Sequence, residues 1–282
     1  MKLLIPAAIM AIISGIAVIS CQQPKEKSMV DNENPADSVP GPVIHSEDIR
    51  YTANGIPSIG FVAYDSATDK KRPVVVVIPE WWGLTQYPRN RAMKLAELGY
   101  VAVVADMYGN ATVAQNPDEA QKLAMPFYGN PEMAKHNIES VIAAIHSNPL
   151  ADTNQIAVIG YCFGGSMALN YARMGEPVKG VVSFHGGLKG VPPQKGMPAA
   201  VLVCHGEADK FVPNEEVALF KKQMDSAGVT YTFKSYPNAT HAFTNPDATE
   251  TGKKFSMPIE YNPAADSASW EDMKTFFASI FH

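Results

Sequence analysis

A cysteine between two glycines is the residue of this sequence whose surroundings point most directly to chemistry. Residues 160–164 read Gly-Tyr-Cys-Phe-Gly, after the apolar run 156–159 and before a helical pattern from Ser166 to Arg173. This spacing is typical of a sharp strand-to-helix turn that presents a nucleophile, with cysteine where serine is usual. The free N–H groups at the start of the helix favour a thiolate there. The pattern predicts that Cys162 attacks acyl groups; the alternative is a helix-opening turn with a buried cysteine.

An aspartate and a histidine supply the other groups that acyl transfer needs. Asp209 follows the apolar run 201–204, and His241 follows the predicted strand 230–235. The chain order nucleophile, acid, histidine is that of the α/β-hydrolase triad. In such a triad the histidine sets the ionisation of the nucleophile and protonates the leaving oxygen, while the acid orients the imidazole ring. Glu207, two residues before Asp209, is an alternative acid.

Alternating strands and helices must position these residues. Predicted strands cover residues 48–52, 59–64, 74–78, 101–105, 156–159, 178–184, 200–204 and 230–235. Predicted helices cover residues 89–98, 116–124, 131–147, 165–174, 214–227 and 267–281. The first two strands are expected to form an antiparallel pair, and the later alternation predicts an α/β fold with a mostly parallel central sheet and helices on both faces. Each candidate catalytic residue then lies at the carboxyl end of a strand, where open α/β sheets place their sites.

Several stretches between residues 56 and 281 resemble the dienelactone hydrolase family of α/β-hydrolases. They are residues 78–84, 105–109, 160–165, 205–213, 241–243 and 261–270. The most specific features are the cysteine in the turn and Glu80 after the first long apolar strand. The resemblance implies the α/β-hydrolase fold and hydrolysis of small carboxylic esters or lactones through a thioester acyl-enzyme. It also implies Asp209 as the acid, and no cofactor.

Residues beside the cysteine are expected to assist the reaction. In the family that the chain resembles, the glutamate at the position of Glu80 contacts the thiol and helps to activate it when substrate binds. Without substrate, a nearby carboxylate disfavours ionisation of the thiol; the alternative is a solvated loop glutamate. The N–H of Phe163, directly after the nucleophile, and the N–H of Trp81 are predicted to form the oxyanion hole.

Aromatic residues near the predicted strand ends indicate a pocket for a flat or apolar acyl group. They are Trp81, Trp82, Tyr87, Tyr108, Phe127, Tyr128 and Phe163, and the alternative for each is a place in the core. Trp82, Tyr108 and His185, which ends a predicted strand, are the candidate substrate-binding residues. Members of the family bind a substrate carboxylate with arginines, but residues 106–110 and 241–245 contain none. This departure favours esters or lactones in general over dienelactone itself.

Two other function classes remain open at this point. One is a lipoprotein that binds a ligand in the pocket without catalysis, and the other is a hydrolase of peptides or polyesters. The net charge is −5, and the sequence has no basic stripe. No nucleic-acid partner is therefore predicted. No cysteines and histidines have metal-site spacing. Cys204 lies in an apolar run and is predicted to be a buried thiol, reduced like Cys162.

The first 47 residues are predicted to lie outside the catalytic domain. Residues 1–20 have the charged start and apolar run of a signal peptide. The sequence Val-Ile-Ser-Cys at residues 18–21 resembles a bacterial lipobox, which implies cleavage before Cys21 and its lipidation. Residues 21–47 are predicted as the lipidated cysteine and a flexible polar tether, and residues 48–282 as the hydrolase domain. The expected protein is exported and lipid-anchored to a bacterial membrane, at its periplasmic side or the cell surface; ordinary secretion and a retained anchor helix are alternatives.

Overall fold

A sheet of eight strands organises residues 41–282, the part of the chain that the computed structural model describes. The strands are β1 (Ile44–Ala53), β2 (Ile56–Asp65), β3 (Arg72–Ile78), β4 (Val101–Val104), β5 (Ala151–Tyr161), β6 (Gly180–Phe184), β7 (Ala200–Gly206) and β8 (Tyr231–Tyr236). The helices are α1 (Gln86–Glu97), α2 (Pro117–Gly129), α3 (Pro131–Ile145), α4 (Phe163–Arg173), α5 (Asn214–Ser226), α6 (Ala248–Phe255) and α7 (Pro263–Ile280).

The strand order is β1-β2-β4-β3-β5-β6-β7-β8. β1 pairs with β2 and β2 with β4 in antiparallel register, and all other neighbours are parallel. This arrangement confirms the predicted α/β fold with its antiparallel start. Because the six strands from β3 onward run in parallel, their carboxyl ends meet along one edge of the sheet, where the site lies.

The central strand β3 divides its side chains between two cores. Val74, Val76 and Ile78 pack with the inner faces of helices α2 to α5. Val75 and Val77 point to the opposite face and pack with α1 and α7. Successive side chains of a strand alternate between the two faces of a sheet, so a continuous valine run fits a strand that is covered on both sides.

The hairpin at the sheet edge corrects the predicted domain boundary. The predicted tether extends to residue 47, but residues 44–47 belong to β1 and pair with β2 from Ile44 opposite Asp65 onward. Their polar side chains are exposed because β1 is an edge strand, and an edge strand needs few apolar residues. The predicted signal peptide, Cys21 and the tether up to residue 40 lie outside the described residues.

The segment after β8 also differs from the prediction. Helix α6, which no predicted helix covers, has eight residues and packs through Ala248 against Ala242 and Ile259. Helix α7 begins at Pro263 rather than at residue 267, because the Asn262 side chain accepts a hydrogen bond from the Ala265 N–H and caps the helix. No helix within residues 41–282 has the length and apolar character to cross a membrane.

Candidate active site

The candidate nucleophile lies on a strained turn between β5 and α4. Cys162 has φ 54° and ψ −117°, a backbone conformation that costs a non-glycine residue on the order of 1–3 kcal/mol. Its N–H donates to the carbonyl oxygen of Phe184 at 3.0 Å and to Nδ1 of His185 at 3.1 Å. These bonds from the end of β6 hold the turn in a conformation that it would not adopt alone.

Close backbone approaches explain the glycines around Cys162. A Cβ on Gly160 would overlap the backbone of Gly164 across the turn. A Cβ on Gly164 would overlap the carbonyl oxygens of Ile78 and Pro79 after β3. Since both obstacles are backbone atoms, neither position accommodates a side chain without moving the turn.

An aspartate–histidine pair lies in the same region. Nδ1 of His241 is 2.8 Å from Oδ2 of Asp209, whose other oxygen accepts the Phe211 N–H at 2.8 Å. The Asp209 side chain is inaccessible to solvent, and the His241 side chain is 12% exposed. Glu207, the alternative acid, is exposed and does not make this contact.

The charges around His241 favour its protonated form. Burial alone would lower the pKa of His241, but the charges of Cys162 and Asp209 outweigh burial and raise this pKa well above its ordinary value. Protonated histidine beside a thiolate is the arrangement that activates a cysteine nucleophile and retains a proton for the leaving group.

Glu80 lies two residues after β3 in a buried position. Only 4% of it is exposed, and burial raises its pKa to about 7, although the hydrogen bond from Asn245 opposes the rise. Nδ2 of Asn245 donates to Oε2 of Glu80 at 2.7 Å. Within residues 41–282 this is the hydrogen bond that the Glu80 side chain makes. The resemblance implies a direct contact with the Cys162 thiol, and no hydrogen bond between the two side chains is present among the described residues.

Two backbone N–H groups beside the nucleophile have no partner among the described residues. They belong to Trp81, which lies in the loop after β3, and to Phe163, the first residue of α4. The hydroxyl of Tyr108 donates to the Trp81 carbonyl oxygen at 2.9 Å and fixes the loop. Free N–H groups at these positions are what an oxyanion hole requires.

A cavity of about 420 Å³ opens at Cys162 and His241. Its lining residues are Glu80, Trp81, Trp82, Gln121, Ala124, Met125, Tyr128, Cys162, Gly187, Phe211, Val212, His241, Ala242, Met257 and Ile259. We call it the acyl cavity. No lysine or arginine is among these described residues, and most of the wall is apolar. Such a wall suits a neutral apolar group and offers no cation to a carboxylate.

The structure corrects several predicted lining residues. Trp81, Trp82 and Tyr128 line the acyl cavity. Tyr108 and His185 do not, because the Tyr108 hydroxyl faces the Trp81 carbonyl and the His185 ring faces the turn at Cys162. Three other aromatic residues, Tyr87, Phe127 and Phe163, are buried in the two cores.

Residues that the sequence prediction missed complete the cavity wall. Met125 lies on α2, Phe211 follows β7, and Met257 and Ile259 follow α6. Phe211 and Met125 are exposed apolar side chains, but exposure is not visible in a sequence. The positions of Met257 and Ile259 at the cavity depend on α6, and no clear sequence pattern predicts this helix.

A buried chain of hydrogen bonds holds His185. Its Nε2 lies 2.7 Å from Oγ1 of Thr244, and Thr244 Oγ1 lies 2.6 Å from the Tyr87 hydroxyl. Arg91 Nε donates to the same hydroxyl at 3.2 Å, and Arg91 pairs with Asp266 of α7. Since Nδ1 of His185 accepts the N–H at the nucleophile, its ring proton lies on Nε2 and points to Thr244.

His185 is neutral in this chain of hydrogen bonds. Burial, and then the charges of His241 and Arg91, lower its pKa well below the ordinary value. A neutral ring retains the acceptor lone pair on Nδ1 that the turn at Cys162 uses. No three His, Cys, Asp or Glu side chains within residues 41–282 are grouped so that they hold a metal ion.

Comparisons with known proteins agree with this fold. The sequence profile of the dienelactone hydrolase family matches residues 60–281. A protein of Aquifex aeolicus (strain VF5) that is named provisionally as a carboxymethylenebutenolidase is 27% identical over 244 residues, which are 81% of this chain and 96% of that protein. The solved structure of a dienelactone hydrolase-like promiscuous phosphotriesterase from metagenomic libraries is 30% identical, with a TM-score of 0.79 over 85% of this chain and 99% of that chain. The solved structure of m3DLH is also 30% identical, with a TM-score of 0.77 and the same coverage.

Proposed function

Because the chain belongs to the dienelactone hydrolase family, a family of hydrolases, we propose that it hydrolyses small neutral carboxylic esters or lactones with Cys162 as nucleophile. The observation that carries the proposal is the pairing of His241 with Asp209 at 2.8 Å beside the cavity that also contains Cys162. A nucleophile, a base and a residue that orients the base are the three parts of this chemistry.

In the first half of the reaction the Cys162 thiolate attacks the ester carbonyl carbon. A C–S bond forms, and the carbonyl oxygen becomes an oxyanion that accepts hydrogen bonds from the N–H groups of Trp81 and Phe163. The intermediate then collapses, the C–O bond breaks, and protonated His241 gives its proton to the leaving alkoxide. The products of this step are the free alcohol and a thioester on Cys162.

In the second half a water molecule replaces the alcohol. Neutral His241 takes a proton from water as the water attacks the thioester carbon. The C–S bond breaks, and the carboxylic acid leaves with the thiolate restored on Cys162. Asp209 holds the His241 ring in one orientation through both halves and stabilises its positive charge.

In this proposal Glu80 controls the ionisation of the Cys162 thiol before substrate binds. Its carboxyl group lines the acyl cavity with Cys162 and His241. A negative charge there opposes formation of the thiolate and attracts the proton of His241. The near-neutral pKa of about 7 that burial gives Glu80 supports a group that changes charge as substrate enters.

The described wall of the acyl cavity contains no lysine or arginine, which favours an uncharged substrate. Dienelactone carries a carboxylate, and a carboxylate that is buried without a cation loses its solvation without compensation. Neutral acyl groups, flat or aliphatic, fit the apolar wall of Trp81, Met125 and Val212. The substrate class is therefore neutral esters and lactones.

Hydrolysis of neutral phosphotriesters is a second candidate function. The structural neighbour at 30% identity is described as a promiscuous phosphotriesterase. A phosphotriester is also neutral, and its phosphoryl oxygen needs the same donors as the ester carbonyl oxygen. Two observations favour it, namely this likeness and a cavity wall that holds no lysine or arginine among its described residues.

A panel of substrates tests the proposal. Turnover of p-nitrophenyl butanoate, dihydrocoumarin, dienelactone, paraoxon, a dipeptide and a soluble polyester is measured with wild type, Cys162→Ala and Cys204→Ala. Cys204 is the matched control because it is the other free cysteine of the described residues and lies buried outside the cavity. We expect turnover of the neutral ester and lactone, retained in Cys204→Ala and reduced by several powers of ten in Cys162→Ala.

Other outcomes of the panel have definite meanings. Binding of the ester without turnover by wild type supports the ligand-binding alternative. Preferred cleavage of the dipeptide or the polyester supports another hydrolase class. If Cys162→Ala keeps more than a few per cent of wild-type turnover, Cys162 is not the nucleophile.

We also propose export and lipid anchoring at Cys21. The support is the sequence of residues 1–21 alone. An anchored hydrolase would meet its substrates at the membrane surface, and small neutral esters reach such a site by diffusion.

A further inference from the structure

A second cavity shares the lining residues Glu80 and Trp82 with the acyl cavity. It has a volume of about 360 Å³. Its other walls are Thr85 with the first two residues of α1, residues 113–115, and the segment from Asn245 to Phe255. We call it the polar cavity. Its size is within the range of small-molecule sites, roughly 300–1,000 Å³.

The side chains of the polar cavity are suited to hydroxyl groups. Asp247 and Thr251 present a carboxylate and a hydroxyl that make no side-chain hydrogen bond within residues 41–282. Gln115 uses its amide N–H for the Val113 carbonyl and keeps its amide oxygen free. Free acceptors together with a hydroxyl that both donates and accepts are the partners that alcohol groups need.

An aromatic surface lies beside these polar groups. The Trp82 ring stacks on Phe255 with centroids 5.9 Å apart and planes 28° apart. One face of the indole is therefore covered, and its remaining surface borders the two cavities. An aromatic ring next to hydroxyl partners suits a molecule with an apolar carbon skeleton and polar edges.

The position of His241 decides which part of the substrate reaches the polar cavity. His241 protonates the leaving oxygen in the proposed mechanism, so the alcohol portion lies on the histidine side. The segment that walls the polar cavity, from Asn245 to Phe255, directly follows His241 in the chain. The opposite wall of the acyl cavity comes from α2, with Ala124, Met125 and Tyr128. The acyl chain therefore points to α2 and the alcohol to α6.

We propose that the polar cavity binds the alcohol portion of the substrate and that this alcohol is uncharged and rich in hydroxyl groups, such as glycerol or a monosaccharide. The inference rests on the proposed esterase function. No lysine or arginine lines the polar cavity within the described residues, so an anionic alcohol would meet only Asp247 and Glu80. A purely apolar alcohol would make no use of the free polar groups of Asp247, Thr251 and Gln115, whereas alcohol hydroxyls can bond to them in place of water.

The test varies the alcohol while the acyl group stays the same. Values of kcat/KM are measured for ethyl butanoate, glycerol 1-butanoate, glucose 6-butanoate and butanoylcholine with the full chain. Variants are Asp247→Ala and Thr251→Val, which remove polar groups from the polar cavity. Glu250→Ala is the matched control, because Glu250 is on α6, pairs with Lys253 and lines neither cavity.

We expect wild type to prefer the glycerol or glucose ester over ethyl butanoate by about tenfold, as two or three added hydrogen bonds allow. Asp247→Ala and Thr251→Val should each lower this preference at least threefold through KM. Glu250→Ala should retain the wild-type preference.

Four results would overturn the inference. Equal kcat/KM for ethyl and hydroxyl-rich esters in wild type excludes a polar alcohol site. A preference that both variants leave intact places that site elsewhere. A faster reaction with butanoylcholine, lost in Asp247→Ala, assigns the cavity to a cationic alcohol. Failure to hydrolyse even ethyl butanoate contradicts the proposed esterase function, and with it this inference.

Discussion

Three residues of the segment 241–245, which follows β8, contact buried polar groups of the site. His241 pairs with Asp209, Thr244 with His185, and Asn245 with Glu80. Through His185 the segment also reaches the backbone N–H of the nucleophile. The position of this one segment therefore sets the base, the turn at Cys162 and the buried carboxyl group together. A small shift of residues 241–245 is expected to affect all three.

The charge of Glu80 is expected to restrain the resting thiol. Glu80→Gln keeps the size of the side chain and removes the charge beside Cys162 and His241. We expect faster inactivation by iodoacetamide and by peroxide, since the thiolate then forms without substrate, and slower ester turnover. The three rates are measured side by side for wild type and variant. Rates that agree within a factor of about two, or ~0.4 kcal/mol, would show that Glu80 is only a loop residue.

Glu80 also makes the stability of the domain depend on pH. Its pKa of about 7 in the folded state lies above the value of about 4.3 for a free glutamate. The folded state therefore binds the proton more tightly, and its stability is highest below the unfolded pKa and falls as pH rises to the folded pKa. Between pH 4.5 and 7.5 wild type should lose on the order of 3 kcal/mol relative to Glu80→Gln. Urea unfolding of both proteins across this range measures the difference, and parallel stability curves would contradict it.

Thr244 is expected to act on the nucleophile through His185. In Thr244→Val the Nε2–H of His185 loses its acceptor, so the ring that holds the Cys162 N–H is free to turn. Turnover should fall about tenfold in kcat with KM nearly unchanged, because positioning and not binding is lost. Thr244→Ser keeps the hydroxyl and should restore kcat. A Thr244→Ser variant as slow as Thr244→Val would indicate that packing of the methyl group, not the hydrogen bond, is what matters.

Sequence spacing was sufficient to locate the residues that lie in a recognisable turn or directly after a predicted strand. The turn at Cys162 and the strand ends before Asp209 and His241 are visible as local patterns, and the family that the sequence resembles is confirmed by the match over residues 60–281. The roles of Tyr108 and His185 were not visible. Both follow strands, but a side chain at a strand end can point into the cavity or sideways to a neighbouring loop. Only the packing between loops decides this direction.

At the scale of elements, helix α6 lines the polar cavity with Thr251 and Phe255 although its sequence gives little sign of a helix. It has eight residues, two of them lysines in the last turn, and buries only Ala248 and Gly252. Isolated helices of this length are not stable in water, so its existence depends on contacts with Ala242 and Ile259. Long amphipathic helices such as α3 carry their own pattern and were predicted within two residues.

The junction of α4 with β3 should tolerate no side chain at Gly164. In Gly164→Ala the new Cβ would overlap the carbonyl oxygens of Ile78 and Pro79, which are backbone atoms and cannot rotate away. We expect a loss of about 2 kcal/mol or more and at least a tenfold loss of ester turnover. Gly129→Ala is the matched control, because a Cβ there meets no atom within 4 Å. Thermal unfolding of both variants checks this; equal midpoints would mean that the turn can relax.

At the scale of the whole molecule, the parallel sheet gathers the site from distant parts of the chain. Glu80 follows β3, Cys162 follows β5, His185 follows β6, Asp209 follows β7 and His241 follows β8. These strands are neighbours in the sheet, so residues more than 160 positions apart in sequence come into contact. The alternation of strands and helices was sufficient to predict this edge. The polar cavity was not predictable, since its walls combine the start of α1, residues 113–115 and α6, and no sequence pattern predicts how these segments approach one another.

The edge hairpin of β1 and β2 determines how far the N-terminus can be truncated without loss of the catalytic domain. The Val43 N–H donates to Asp65 at 2.9 Å, and the Val43 carbonyl oxygen accepts the Ser66 N–H at 2.8 Å. A protein of residues 41–282 should therefore keep wild-type ester turnover and stability. Residues 48–282, the domain predicted from sequence, would lack the first four residues of β1 and should unfold at a lower temperature. Equal unfolding temperatures would show that residues 44–47 add nothing to the sheet.

Cys21 is expected to decide where the whole protein resides. If the peptide is cut before Cys21 and the thiol is lipidated, Cys21→Ala should abolish incorporation of a fatty-acid analogue and release the protein from the membrane fraction. A single acyl chain binds membranes only weakly, so stable anchoring needs more than one chain on this residue. Ester turnover of the released protein should equal that of wild type, because the site lies within residues 41–282. Cys204→Ala is the control for labelling, since its buried thiol should not accept lipid. Unchanged labelling of Cys21→Ala would contradict lipidation at this residue, and a membrane-bound but unlabelled variant would support a retained anchor helix instead.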